Sequence, residues 1–296
     1  MSAEREQENK ETRSTREKKK EMITYPNCKI NLGLHVVGKR PDGYHDLETI
    51  FLPVHDLRDE LEILPLNTPL SQPQAADSSP SLGKQPQSTM VQDGIVLDNA
   101  PEDNLCMKAW RLLHEEFGIP AVSIRLKKNI PFGAGLGGGS SDAAFTLKML
   151  NEMFSLGLSV SDLEQHAAHL GADCAFFIQN RPAYATGIGD QLEPLEIEKS
   201  KLKIEIEIPE NEHVSTKEAY SGLSPFTSHL SPRPDLREAV KRPIGEWRNL
   251  IVNDFEASVF PAHPAIAALK EEMYRRGALY ASMTGSGAAV FGIFAV

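Results

Sequence analysis

The sequence predicts an α+β fold in two halves, and three observations predict it. Alternating apolar and polar residues mark strands in both halves, as in "CKINLGLHV" and "KLKIEIEIP". Apolar stripes at helical spacing lie between them, such as Leu105, Ala109, Leu112, Leu113 and Phe117. No internal repeat is visible, and 296 residues suffice for two packed lobes with cores of their own.

In order along the chain, residues 1–21 are almost wholly charged or polar and read as a disordered or loosely helical tail. They lack the apolar core of a secretory signal and the acid-poor composition of a transit peptide. Order begins near Met22. In the first long strand, Cys28, Ile30, Leu32, Leu34 and Val36 point one way, while Lys29, Asn31, Gly33 and His35 form a polar face. "ETIFLPV" and "ELEIL" read as further strands. Residues 67–92 are rich in Ser, Pro and Gln and read as a loop insertion. The helix begun near Leu105 stops at Gly118, and "VSIRLKK" is a strand. Ala143, Ala144, Leu147, Leu150 and Phe154 fit a second helical face. Ser161 with Glu164 predicts a capping box for a third helix ending at Gly171. "HPAIAALKEEMYRRG" is a helix with Pro264 in its first turn, and "ASMTGSGAAVFGIFAV" closes as two strands around a Gly-rich turn.

Composition excludes several classes of function. A net charge of −10 argues against general nucleic-acid binding. No apolar run approaches 18 residues, so no membrane span is expected. Cys28, Cys106 and Cys174 show neither metal-ligand spacing nor an even-numbered framework and read as reduced thiols in a cytoplasmic protein.

The most informative stretch is "IPFGAGLGGGSSDAAF", residues 130–145, in which five of the seven residues 133–139 are glycine. Glycine loses more conformational entropy on folding than any other residue, so such a concentration points to a requirement. A strand, a glycine loop, Ser-Ser-Asp and a helix gather unpaired N–H groups at a positive helix end, which suits phosphate. The spacing matches neither the Walker pattern nor the dinucleotide fingerprint.

"PFGAGLGGGSSDAA" resembles the second motif of the GHMP kinase superfamily. "KINLGLHVVGKRPDGYHDLETIF", "LGADCAFFI" and "MTGSGAAVFGIF" resemble, in order, further motifs of the branch acting on 4-diphosphocytidyl-2-C-methyl-D-erythritol. The resemblance implies a ribosomal protein S5 domain 2-like lobe over residues 22–185 and a ferredoxin-like lobe over 186–296. It implies ATP-dependent phosphorylation of that small molecule at its 2-hydroxyl, in the non-mevalonate route to isoprenoid precursors. Homoserine- or mevalonate-type kinases and a non-catalytic nucleotide-binding relative are the alternatives; the GYH stretch argues against the former and the retained Asp173 and Lys29 against the latter.

By the same resemblance, Asp173 is the base and Lys29 its cationic partner, favouring the alkoxide that forms on the substrate. Pro131, Gly133, Gly135, Leu136, Gly137, Gly138, Gly139, Ser140 and Ser141 form the phosphate loop, and Asn104 and Lys128 join the nucleotide pocket. Asp103 beside Asn104 reads equally well as a helix cap. Tyr44 stacks on the cytosine and His45 hydrogen-bonds it; Tyr220 forms the opposite wall and Thr216 contacts substrate, while Asn31, on the same strand face as Lys29, orients substrate or Lys29. Mg2+ is implied by the ATP phosphates, with Ser140 or Ser141 touching it or a phosphate.

Overall fold

The computed structural model describes residues 21–66, 88–95, 100–197, 202–223 and 234–295. Residues 1–20 of the expected tail and residues 67–87 of the expected insertion lie outside the described residues. The strands are β1 (Met22–Thr24), β2 (Asn27–Lys39), β3 (His45–Arg58), β4 (Glu60–Pro65), β5 (Thr89–Gly94), β6 (Val122–Lys128), β7 (Ala183–Thr186), β8 (Gln191–Pro194), β9 (Leu202–Glu207), β10 (Tyr280–Met283) and β11 (Val290–Ala295). The helices are α1 (Leu105–Phe117), α2 (Gly138–Met153), α3 (Val160–Leu170), α4 (Phe176–Gln179), α5 (Thr216–Ser221), α6 (Leu236–Ala239), α7 (Trp247–Leu250), α8 (Phe255–Val259) and α9 (Pro264–Arg275).

Two four-stranded sheets build the first lobe, in the orders β1-β4-β6-β5 and β2-β3-β7-β8; the second includes β8, beyond residue 185. The inward residues of β4 and β6 (Leu61, Ile63, Val122, Ile124, Leu126) meet the apolar stripes of α1 and α2 in one core. The second lobe carries the antiparallel sheet β10-β11-β9. One face of that sheet (Ala281, Met283, Val290) packs on α8 and α9 through Phe255, Val259, Ile266 and Met273. Its other face, Tyr280, Phe291 and Ile293, meets Cys28, Ile30 and Leu32 of β2. The lobes are thus joined by a sheet-on-sheet core, which sets β2 at the bottom of the groove between them. No described helix is long and apolar enough to cross a membrane.

Five local expectations are corrected. The polar face of β2 is covered: Lys29, Asn31 and His35 are 3%, 2% and 4% exposed. The strand also changes register between Leu32 and Leu34, where Gly33 adopts φ +68°, so Leu34 and Val36 join the second-lobe core instead of following Leu32. Beyond this bulge, Leu34 exchanges backbone hydrogen bonds with Val252 and Asp254, tying β2 to the second lobe. Residues 89–92 belong to β5, which pairs in parallel with β6 and lays Met90 on the core. Backbone pairing, invisible to composition, orders them. The capping box of α3 is Ser159 with Asp162. Asn151 fixes Leu158 through bonds to its N–H and carbonyl, leaving Ser159 extended and the helix free to start at Val160. Last, the cap of α1 is Asn104, whose side chain accepts from the Cys106 N–H at 2.9 Å; Asp103 sits in the preceding turn.

All three cysteines are buried and free. Burial pushes the Cys28 and Cys174 thiols up to about 12, and the Cys106 thiol higher still. Thiolate is the reactive form, so a disulfide reagent at pH 8 should label the native protein slowly, with or without ATP, and label it fast in denaturant. Rapid native labelling of Cys28 that ATP blocks would place β2 the other way round.

Candidate active site

Lys29 stands at the middle of the groove. Its backbone N–H donates to the Leu136 carbonyl at 3.0 Å, so β2 is stitched directly to the glycine loop. Its ammonium lies 3.4 Å from Asp173 Oδ2 and donates to Asn31 Oδ1 at 2.6 Å, above the Phe51 ring. The lysine side chain is 4% exposed and that of Asp173 31%. This asymmetry suits a pair in which the carboxylate meets a ligand while the cation is held from behind. Asp173 occupies the turn between Gly171, which ends α3, and α4. Gly189 lies beside it, close enough that an added Cβ would sit 3.7 Å from Asp173 Oδ1.

Asn31 acts on the frame around Lys29. Its amide donates to Thr49 Oγ1 at 2.9 Å, and its backbone N–H donates to Thr284 Oγ1 at 3.0 Å. Thr284 in turn donates to the Gly135 carbonyl. Sequence reasoning did not single out Thr49 or Thr284, though both lie inside the quoted motifs "ETIF" and "MTGSGAA".

The glycine loop lines a pocket from Pro131 to Ser140, joined by Asp103, Asn104 and Lys128. Gly133, Gly135 and Gly137 take φ of +69°, +80° and +70°, and Gly137 is the N-cap of α2. Two further constraints differ in kind. A Cβ on Gly135 would lie 2.1 Å from the Thr284 carbonyl oxygen, so the loop touches the second lobe's Gly-rich turn backbone to backbone. A Cβ on Gly139 would meet only Leu105, at 3.8 Å. Among the described residues nothing demands glycine there, whereas a phosphate approaching the α2 N-terminus would. Ser140 lines the pocket; Ser141 is buried behind it, its Oγ without a partner among the described residues.

Lys128 sits at the pocket's floor, 3% exposed. Its ammonium donates to Asp59 and, at 2.7 Å, to Asp142 Oδ2. Burial works against the charged lysine, but Asp142 and Asp59 outweigh it and leave its pKa raised. Burial likewise pushes the Asp142 carboxyl up to about 7, with Lys128 opposing.

Farther along the groove, the His45 ring stacks on Tyr220 at 4.6 Å, and Tyr220 meets Phe255 edge-on. Burial, and after it the charge of Asp173, raise the Tyr220 pKa. Tyr44 is 61% exposed and stacks on none of the described rings. Thr216, first residue of α5, pairs with Ser286 at 3.3 Å. The structure brings the His45 and Tyr220 rings together and leaves the exposed Tyr44 outside that stack.

The family comparisons cover both halves: GHMP kinases N terminal domain matches residues 104–181, and GHMP kinases C terminal matches residues 235–295. The chain is 50% identical over 273 residues to the 4-diphosphocytidyl-2-C-methyl-D-erythritol kinase of Bacteroides thetaiotaomicron, covering 92% of each chain. It is 46% identical to the protein of that name from Porphyromonas gingivalis, again over 92% of each. A crystal structure of 4-(cytidine 5'-diphospho)-2C-methyl-D-erythritol kinase matches with a TM-score of 0.73 at 30% identity, over 92% of this chain and 90% of that one. A homoserine kinase structure from Cytophaga hutchinsonii matches at 0.63 over 93% and 85%, and its 16% identity shows a shared fold alone. At this identity over 92% of its length, the chain belongs to the 4-diphosphocytidyl-2-C-methyl-D-erythritol kinase family of the GHMP kinases.

Proposed function

We propose that this chain transfers the γ-phosphoryl group of ATP to the 2-hydroxyl of 4-diphosphocytidyl-2-C-methyl-D-erythritol, a step of the non-mevalonate route to isoprenoid precursors. The observation that carries this reading is the Lys29–Asp173 pair, 3.4 Å apart beside a glycine loop open to phosphate. Phosphoryl transfer asks a protein mainly for positioning and charge stabilisation. The loop's N–H groups and the α2 N-terminus hold the triphosphate. Asp173 takes the hydroxyl proton as the oxygen attacks the γ-phosphorus, and ADP leaves. Lys29, fixed by Asn31, stabilises the negative charge that builds on the oxygen.

Magnesium fits this site as a companion of the nucleotide. The described residues hold no group of three or more His, Cys, Asp or Glu side chains able to bind a metal, and Mg2+ keeps most of its ligands as water and phosphate. The Ser140 hydroxyl, which lines the pocket at the start of α2, is the serine oxygen that would help complete its shell, while Ser141 lies buried behind it. Once bound, the ion neutralises phosphate charge.

His45, Tyr220 and Tyr44 form the cytosine subsite, with the exposed Tyr44 ring closing on the base. Tyr44→Ala should then weaken the cytidine substrate by roughly tenfold or more, the worth of one stacking contact, while ATP affinity and melting temperature hold. Equal weakening of both ligands in calorimetry would count against this subsite. The activity itself is tested by ATP consumption with the cytidine-diphosphate alcohol, homoserine and mevalonate in parallel. Turnover with the first alone is expected; turnover with either of the others would redirect the assignment.

A further inference from the structure

Asp59 lies at the corner where β3 passes into β4, and its side chain is 0% exposed. One carboxylate oxygen, Oδ1, accepts from the backbone N–H groups of Asn129 at 2.6 Å and Ile130 at 2.8 Å. The other, Oδ2, accepts from the Lys128 ammonium. The same ammonium donates to Asp142 Oδ2, the fifth residue of α2. Asn129 and Ile130 are the last residues before the glycine loop, and Asp142 comes just after it. Both ends of the loop are therefore tied to one buried carboxylate, directly at the start and through Lys128 at the finish.

This arrangement is costly to build for stability alone. Two carboxylates and one ammonium are withdrawn from water, and a buried ion cluster seldom stabilises a fold more than an apolar one would. Its gain is geometric. A loop with five glycines in seven residues has little local preference for one shape, so its amides converge on a phosphate only if its ends are held. Asp59 does not line the pocket and cannot touch a nucleotide there. Lys128 does line it, but two of its three N–H donors are spent on the carboxylates.

We propose that Asp59 is a positioning residue of the nucleotide site, its carboxylate fastening both ends of the glycine loop, with Lys128 as the link, so that the loop is preset for phosphate. Asp59→Asn is an informative variant because it leaves Lys128 and Asp142 as a balanced pair. The asparagine oxygen can still accept from Asn129 and Ile130, while its NH2 faces the ammonium donor to donor. The link is cut and the corner is kept.

The inference rests on the reading of this pocket as the ATP site, so titration calorimetry of the wild type with ATP comes first. Failure of the wild type to bind ATP overturns that reading. Given binding, Asp59→Asn should raise the ATP Kd and KM by about tenfold or more, the scale of one lost charge-assisted hydrogen bond. Its kcat at saturating ATP and its Kd for the cytidine substrate should stay within about threefold, inside the scatter expected of an uninvolved site. Combining it with Lys128→Met should cost no more than Lys128→Met alone, because the two residues act as one link. Asp142→Asn, which frees the far end and keeps Lys128 paired with Asp59, should show the same split between ligands and decides the matter if Asp59→Asn does not fold. Unchanged ATP affinity in the folded variants, equal loss for both ligands, or additive losses with Lys128→Met would each overturn the proposal; the last would make Lys128 a direct nucleotide contact.

Discussion

Replacing Asp173 with Asn should lower turnover by about 10²–10⁴-fold, the usual worth of a general base, while ATP and the cytidine substrate still bind. Asparagine keeps the size of the side chain and removes its ability to take a proton. The glycine loop is anchored through the Leu136 carbonyl to the backbone of β2 and should not feel the change. Lys29 loses one neighbour but keeps Asn31 at 2.6 Å, so its ammonium remains at the site. A coupled assay for ADP release measures the rate, and calorimetry measures both affinities. A variant retaining more than about a tenth of the wild-type rate would remove Asp173 from the role of base, since that loss is too small for one.

Gly135→Ala should be almost as damaging by a different route. At φ +80° a side chain already costs about 1–2 kcal/mol, and its Cβ would stand 2.1 Å from the Thr284 carbonyl oxygen. Neither backbone can yield without moving the other lobe's turn, because Gly287 meets Ala134 just as closely. The melting temperature should fall by roughly 4–8 °C for about 2 kcal/mol, and ATP binding should drop by tenfold or more as the loop is displaced. Gly139→Ala is the matched control. It lies within α2, where alanine is the better helix former, and meets nothing closer than 3.8 Å. Its melting temperature should hold or rise while ATP binding weakens. Loss of stability in both variants would mean that the loop serves the fold only; unchanged ATP affinity in Gly139→Ala would move the phosphate away from the start of α2.

The two loop variants separate what glycine does for the chain from what it does for the ligand. That distinction was partly open to the sequence. Five glycines at the start of a helix raised the expectation of an anion site, since local chemistry alone supplies donors and backbone access there. Periodicity also marked most strands and the long helices, because a period of 2 or 3.6 is a property of neighbours along the chain. The four short helices among the described residues between 216 and 259 carried too few turns to register.

What the sequence by itself determined, then, was the family motif set, the glycine loop and the pairing of Lys29 with Asp173 as an expectation. Only the tertiary structure decided that Lys29 is buried, that β2 changes register at Gly33, and that Asn31 bridges Thr49 and Thr284. It alone revealed Asp59, an ordinary acid at a strand corner in the sequence and a tie for residues 128–130 in space. The physical reason is the same in each case. Burial and hydrogen-bond partners come from segments as far apart as Asn31 and Thr284, and no pattern of adjacent residues encodes which of them will meet.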